Sequence, residues 1–334
     1  QSQTNILMVV CHDIGQHLGC YGADINTPHI DKLAEDGIRM NNYYCTAAQC
    51  SPSRGSIITG KYPHNNGLIG LTHLGWELND SEITLPMYMN KAGYETHLFG
   101  EQHESSNPDN LGYEHIHKSK GRNASSYISD VSEFLNEYSD SNSETPFYAS
   151  IGLHEPHRPY ELKEYNDFEQ VYGFSPKAYK ESEKTNGLSY LPDKPGIHKD
   201  LVGLKRLISY VDESIGKLRK TLKETQLEKN TLLIFTTDHG IAMPRAKGTC
   251  YDPGLETALL LYKPDEFVGG KVYHELLSNI DLLPTLLEYV GLNISEDIDG
   301  RSFLSLIKEN DSYIPRDNIY CEMTWHDKYN PMRG

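Results

Sequence analysis

Four short stretches carry the side chains on which chemistry could be built: His12-Asp13, Glu101-Gln102-His103, His154-Glu155-Pro156-His157 and Asp238-His239. Carboxylates and imidazoles together hold divalent cations and move protons near neutral pH. A carboxylate-rich set suits Ca²⁺, Mg²⁺ or Mn²⁺, and imidazole moves the preference toward transition metals. Taken singly, each stretch has a plainer reading, as a packed histidine or an aspartate capping a turn. A further feature is Gln49-Cys50-Ser51-Pro52-Ser53-Arg54-Gly55, which runs on to Thr59-Gly60. Ser51 and Pro52 suit the start of a helix, which sets residue 50 beside free N–H groups and the positive end of the helix dipole, where anions are held. Arg54 falls one turn on and returns over the same spot.

The elements that must position these residues are legible as alternating strands and helices. Asn5–Cys11, Glu95–Phe99, Pro146–Leu153 and Thr231–Thr237 read as strands, and the continuous apolar run in the first and last marks burial on both faces. Helices are predicted over Pro28–Asp36, stopped by Gly37, over Leu85–Lys91, and over Asp281–Val290, where Pro284 is tolerable in the first turn. The longest amphipathic helix covers Leu201–Leu222, with apolar residues at 201, 204, 207, 208, 211, 215 and 218. The fold class is therefore α/β, a mainly parallel sheet with helices on both faces. Such sheets bind ligands at the carboxyl ends of their strands. All four polar stretches fall there, which favours one active site over four unrelated residues.

Composition narrows the partners. The chain has 334 residues, 31 Lys+Arg against 47 Asp+Glu and a formal net charge of −16. A nucleic-acid partner held by phosphate neutralisation is excluded on that balance. An anionic substrate is not, provided the site carries its own cations. No apolar run is long enough to span a bilayer. Six cysteines without a CxxC pair make neither a disulfide scaffold nor a structural zinc site.

Cys50-x-Pro52-Ser53-Arg54 with Thr59-Gly60 is similar to the signature of the type I sulfatases, formylglycine-dependent members of the alkaline phosphatase superfamily. The resemblance is collinear and covers nearly the whole chain. Asp13 matches the second of the family's paired aspartates, with His12 in place of the first. Leu18–Gly22, Asn26–His29 and Asp31–Ala34 match the stretch that follows. Gly100-Glu-Gln-His103 matches Gly-Lys-x-His with Glu101 in place of the lysine. Leu153–His157 matches a Pro-His loop, and Thr237-Asp-His-Gly240 matches a metal loop. Within the family, the His-Glu-Pro-His loop, Ile241–Pro244 and Tyr251–Gly254 most resemble the N-sulfoglucosamine sulfohydrolase branch and its bacterial relatives.

The resemblance implies that Cys50 is converted by a maturation enzyme to formylglycine, whose hydrate is the nucleophile. It implies a divalent metal, calcium foremost with magnesium or manganese as alternatives, held by Asp13, Asp238, His239, His12 and residue 50. Arg54 and Lys247 would meet the sulfate charge. His157, or else His154, would protonate the leaving group, and His103 would deprotonate the second hydroxyl to expel sulfate. Glu101 removes one expected cation, for which Arg245 or Lys61 could compensate. The expected activity is hydrolysis of sulfate esters or sulfamates of a sulfated saccharide. Two alternatives stay open: a phosphonate monoester or phosphodiester hydrolase, and a non-catalytic sulfated-glycan binder. The resemblance further implies a catalytic domain over 1–316, then 317–334 as the entry to a smaller carboxyl-terminal subdomain largely missing here. Export is expected over a cytoplasmic location, with Gln1 consistent with a processed start.

Overall fold

The computed structural model describes residues 3–160, 187–310 and 312–323. Its frame is one eight-stranded sheet: β1 Asn5–Cys11, β2 Ile38–Tyr44, β3 Glu95–Gly100, β4 His115–His117, β5 Phe147–Leu153, β6 Thr231–Thr237, β7 Leu259–Tyr262 and β8 Lys271–Ser278. Their order across the sheet is β4-β3-β5-β1-β6-β7-β2-β8. All neighbours are parallel except β7, which is antiparallel to both β6 and β2. This is the expected mainly parallel α/β architecture. Its strands run from Asn5 to Ser278; of the expected entry segment 317–334, only 317–323 lie among the described residues.

Strand β1 explains why the apolar runs are continuous. Leu7, Val9 and Cys11 enter the core on one face, while Ile6, Met8 and Val10 enter the core on the other. Both faces are covered, as parallel crossovers require. The first face carries the helices Pro28–Asp36, Ala124–Ser141 and Pro195–Glu224; the second carries Leu85–Lys91, Leu282–Tyr289 and part of Cys50–Thr59. Truncating a fully buried residue such as Leu7 or Met8 to alanine would cost roughly 2–5 kcal/mol.

Register fixes which residues leave the sheet together. Cys11 is level with Leu153 of β5 and with Thr237 of β6. The next residues, His12, His154 and Asp238, therefore emerge side by side at one carboxyl edge. On the far side of β5, Gly100 is level with Gly152, so Glu101 joins the same rim. This junction has no room for a side chain, since a Cβ on Gly152 would lie 1.7 Å from the Glu101 carbonyl oxygen.

Candidate active site

The helix Cys50–Thr59 is buried along its whole length and aims its amino end at that rim. It begins at Cys50, one residue before the predicted Ser51 start, so Cys50 occupies the first helical position. The helix ends at Gly60 with φ 66°, a left-handed turn that glycine adopts without strain. Two contacts fix it against the sheet. The Ser53 hydroxyl donates to the Asp238 carbonyl, and Asn279 Nδ2 donates to both the carbonyl and Oγ of Ser53, at 3.1 and 3.0 Å.

Asp238 is the centre of the arrangement. Its carboxylate accepts from Arg54 Nε at 3.0 Å, from the Asp13 backbone N–H at 3.0 Å and from the His239 backbone N–H at 2.8 Å. Burial alone would raise its pKa, but His239, His12 and Arg54 outweigh that and hold it well below the carboxylate range. Asp13, with φ 49°, turns its carboxylate onto Lys247, whose Nζ donates to the two oxygens at 2.8 and 3.0 Å. His239 Nε2 lies 3.2 Å from Asp13 Oδ1 and 3.3 Å from Cys50 Sγ. Burial opposes protonation of this ring, yet Asp238, Cys50 and Asp13 raise its pKa to about 9.

Three further imidazoles surround His12. The ring centroids of His103, His157 and His154 lie 4.7, 5.4 and 6.3 Å from that of His12, and His154 stacks on His157 at 5.4 Å. Burial and the Arg54 charge push His103 down to about 4. All ten predicted site residues, drawn from positions 12 to 247, thus meet in one cluster. The chain brings in others that spacing did not single out. Glu104 is buried and accepts from the His103 backbone N–H at 2.6 Å; Ser53 and Asn279 lock the helix. Ser53 sits inside the cysteine motif, and Asn279 follows a strand, so the strand-end rule could have found it.

The expected compensation for Glu101 needs correction. Lys61 instead pairs with Glu82 at 3.0 Å and with Asp297, while the Arg245 guanidinium lies 5.1 Å from the Tyr251 ring centroid. Arg122 meets Glu101 through two N–H donors at 2.6 and 3.1 Å, and the Tyr127 hydroxyl donates at 2.7 Å. Burial would raise the Glu101 pKa, but these partners lower it to about 2. The acid is charged and neutralised locally, 3.9 Å from His103 Nε2.

The residues fit a divalent metal. His12, Asp13, Cys50 and Asp238 offer donor atoms all within 4.8 Å of one another. His12 Nδ1 lies 2.9 Å from Asp238 Oδ2, while Nε2 of this fully buried ring has no hydrogen-bond partner. A buried imidazole held by a carboxylate at one nitrogen, with the other unpartnered, suits a metal ligand.

A family model described as Sulfatase matches residues 4–292. Human N-sulphoglucosamine sulphohydrolase is 28% identical over 310 residues, covering 86% of this chain and 61% of that protein. An ulvan-active sulfatase of Formosa agariphila is 30% identical over 301 residues, covering 88% of this chain and 55% of that one. The chain thus spans little more than half the length of these relatives. Phosphonate monoester hydrolase of Agrobacterium radiobacter superposes with a TM-score of 0.73 at 18% identity, over 94% of this chain and 79% of the other, a likeness of fold. No helix among the described residues is long and apolar enough to cross a membrane. With its family match running through every strand of the sheet and every residue of the cluster, the chain belongs to the sulfatase family.

Proposed function

We propose that this protein hydrolyses sulfate esters or sulfamates of a sulfated saccharide, and that it does so outside the cytoplasm, where such polymers are met. The observation that carries this reading is the convergence of Cys50 and Arg54, both from the signature helix, on the Asp13–Asp238–His239 cluster. The names of the two sequence relatives, one acting on N-sulphoglucosamine and one on ulvan, support the substrate class. Asp13, Asp238, His239 and His12 would hold a divalent cation, calcium foremost, which when bound supplies Lewis-acid charge for a sulfate oxygen. Matured to formylglycine by a modifying enzyme, residue 50 would supply a hydrated aldehyde, with one hydroxyl to attack sulfur and a second whose deprotonation reforms the aldehyde and breaks the bond to the sulfated oxygen, releasing sulfate.

The remaining roles follow from this chain's own atoms. Arg54 is fixed through Nε, and one terminal nitrogen of its guanidinium has no partner, leaving an N–H for a sulfate oxygen. Lys247 brings a second cation to the same rim. Both act where charge develops on the nonbridging oxygens. His103, kept neutral by burial and Arg54, is a base ready to take a proton from the second hydroxyl. His157 holds the proton for the departing oxygen or nitrogen, with His154 stacked behind it.

Peptide mass spectrometry across Cys50, on protein from its native host, tests the nucleophile: an aldehyde-bearing residue 50 supports turnover, and an intact thiol overturns it in favour of binding alone. Parallel assays with nitrophenyl sulfate and a phosphonate monoester test the reaction. Sulfate hydrolysis is expected to dominate, and a dominant phosphonate rate would reverse the assignment.

A further inference from the structure

A second group of metal-binding side chains sits on the outermost strand pair, away from the rim. His97 of β3 is level with His115 of β4, and Phe99 with His117. Glu95, two residues before His97, shares its face of the sheet. One donor atom from each of Glu95, His97 and His115 lies within 4.8 Å of the others. His115 Nε2 is 2.9 Å from Glu95 Oε1, and His97 Nε2 is 3.7 Å from the same oxygen.

His97 is the informative member. It is only 4% exposed, with its ring stacked on His115 at 4.7 Å and tilted against Phe134 at 4.3 Å. Its Nδ1 lies 3.0 Å from His117 Nε2, while its Nε2 is buried without a hydrogen-bond partner. One proton serves the Nδ1···Nε2 contact. If His97 donates it, Nε2 turns a bare lone pair toward a carboxylate oxygen. If His117 donates it, the His97 proton sits on Nε2 with no acceptor in range. Neither tautomer satisfies this atom by protein contacts, and buried polar atoms are rarely left so.

A cation between Nε2 and the carboxylate resolves the conflict in the first tautomer. Zinc bonds to nitrogen and oxygen of about 2.0–2.2 Å at tetrahedral angles separate the two donors by roughly 3.4 Å. The observed 3.7 Å is closer to that spacing than to a hydrogen bond of about 2.9 Å, whereas His115 Nε2, 2.9 Å from the same oxygen, pairs with it directly and exchanges that contact for the cation. His117 then becomes the outer partner that fixes the tautomer and aims the ligand, as metal-bound imidazoles require. The Glu95 and His115 side chains are 37% and 47% exposed, so the group opens to solvent and leaves room for a water ligand.

We propose that Glu95, His97 and His115 form a second metal site, oriented by His117, that takes a zinc-class divalent cation and ties edge strand β4 to β3. It is independent of the sulfatase reading, since none of its residues belongs to the catalytic cluster.

The test is calorimetric titration of Zn²⁺ into the full chain after chelator dialysis, beside the His115→Ala and Glu95→Gln variants. Both changes are at half-exposed side chains, and thermal melts check that each variant folds. The wild type is expected to bind one more Zn²⁺ equivalent than either variant, or to bind that equivalent at least tenfold more tightly. His117→Phe should weaken it about tenfold. Co²⁺ in place of Zn²⁺ should give visible absorption that His115→Ala loses. Equal stoichiometry and affinity in wild type and His115→Ala, or no Zn²⁺ uptake by the wild type, would overturn the site.

Discussion

Replacing His157 with glutamine separates proton donation from every other part of the proposed reaction. His157 Nδ1 lies 2.7 Å from the Arg158 carbonyl oxygen, an acceptor only, so Nδ1 carries a proton. Any proton given to a leaving group must therefore come from Nε2 of the doubly protonated ring. Glutamine sets an amide near the Nε2 position and has no proton to give up. General acids contribute about 10²–10⁴ in rate, which corresponds to about 3–5 kcal/mol of transition-state stabilisation. That contribution matters only where the leaving group is a poor one. A sugar alkoxide or amine needs the proton, whereas nitrophenolate departs without it. The assay is kcat/KM of His157→Gln on a sulfated saccharide and on nitrophenyl sulfate. The expected loss is about 10²–10⁴ on the sugar and less than about tenfold on the aryl ester. His154→Gln, at the more distant ring, should leave both within about tenfold. Equal losses of His157→Gln on the two substrates would refute the assignment of His157 as the acid.

Two further outcomes concern the framework. Glu155 is 2% exposed and accepts from the Ala124 backbone N–H at 2.9 Å, and burial raises its pKa to about 7. An acid raised in the folded state contributes stability that is complete below its unfolded value near 4.5 and is lost as pH rises to about 7. Glu155→Gln keeps the acceptor and removes the charge, so its unfolding free energy should fall less between pH 4.5 and 7, by at most about 3 kcal/mol; parallel curves for the two proteins in denaturant titrations would contradict this. Gly152→Ala should cost about 3 kcal/mol or more, because its Cβ meets backbone rather than a movable side chain. The same measurement checks it, and a loss under about 1 kcal/mol would mean that the β3–β5 junction yields.

What the sequence disclosed depended on burial. β1 and β6 carry predicted and observed bounds that coincide, because strands covered on both faces are written in unbroken apolar residues. β2, Ile-Arg-Met-Asn-Asn-Tyr-Tyr, alternates buried with half-buried positions and was not singled out; β4 is only three residues long. The long helix begins at Pro195, not Leu201; its first turn is largely exposed, and Ile197, four residues before Leu201, is its one apolar residue packed against the core. The helix Ala124–Ser141 was missed although its buried positions 124, 127, 128, 131 and 135 follow helical spacing; the serines and acids between them obscure it. Most candidates were legible because they lie within a few residues of a strand end or in the cysteine motif; Lys247, well beyond the end of β6, came from the family resemblance alone. Their supports were not legible. Asn279 reaches Ser53 across 226 positions and Arg122 reaches Glu101 across 21, contacts that local pattern does not encode.

The Asp238 carboxylate has a consequence for anyone dissecting this protein one residue at a time. Its two oxygens are shared among a guanidinium and two peptide N–H groups, with an imidazole close by. Loss of any neighbour redistributes the others, so the damage from a second substitution depends on what the first has already released. Paired changes at Arg54 and His12 should fall short of, or exceed, the sum of their separate effects, and only a complete thermodynamic square will apportion them.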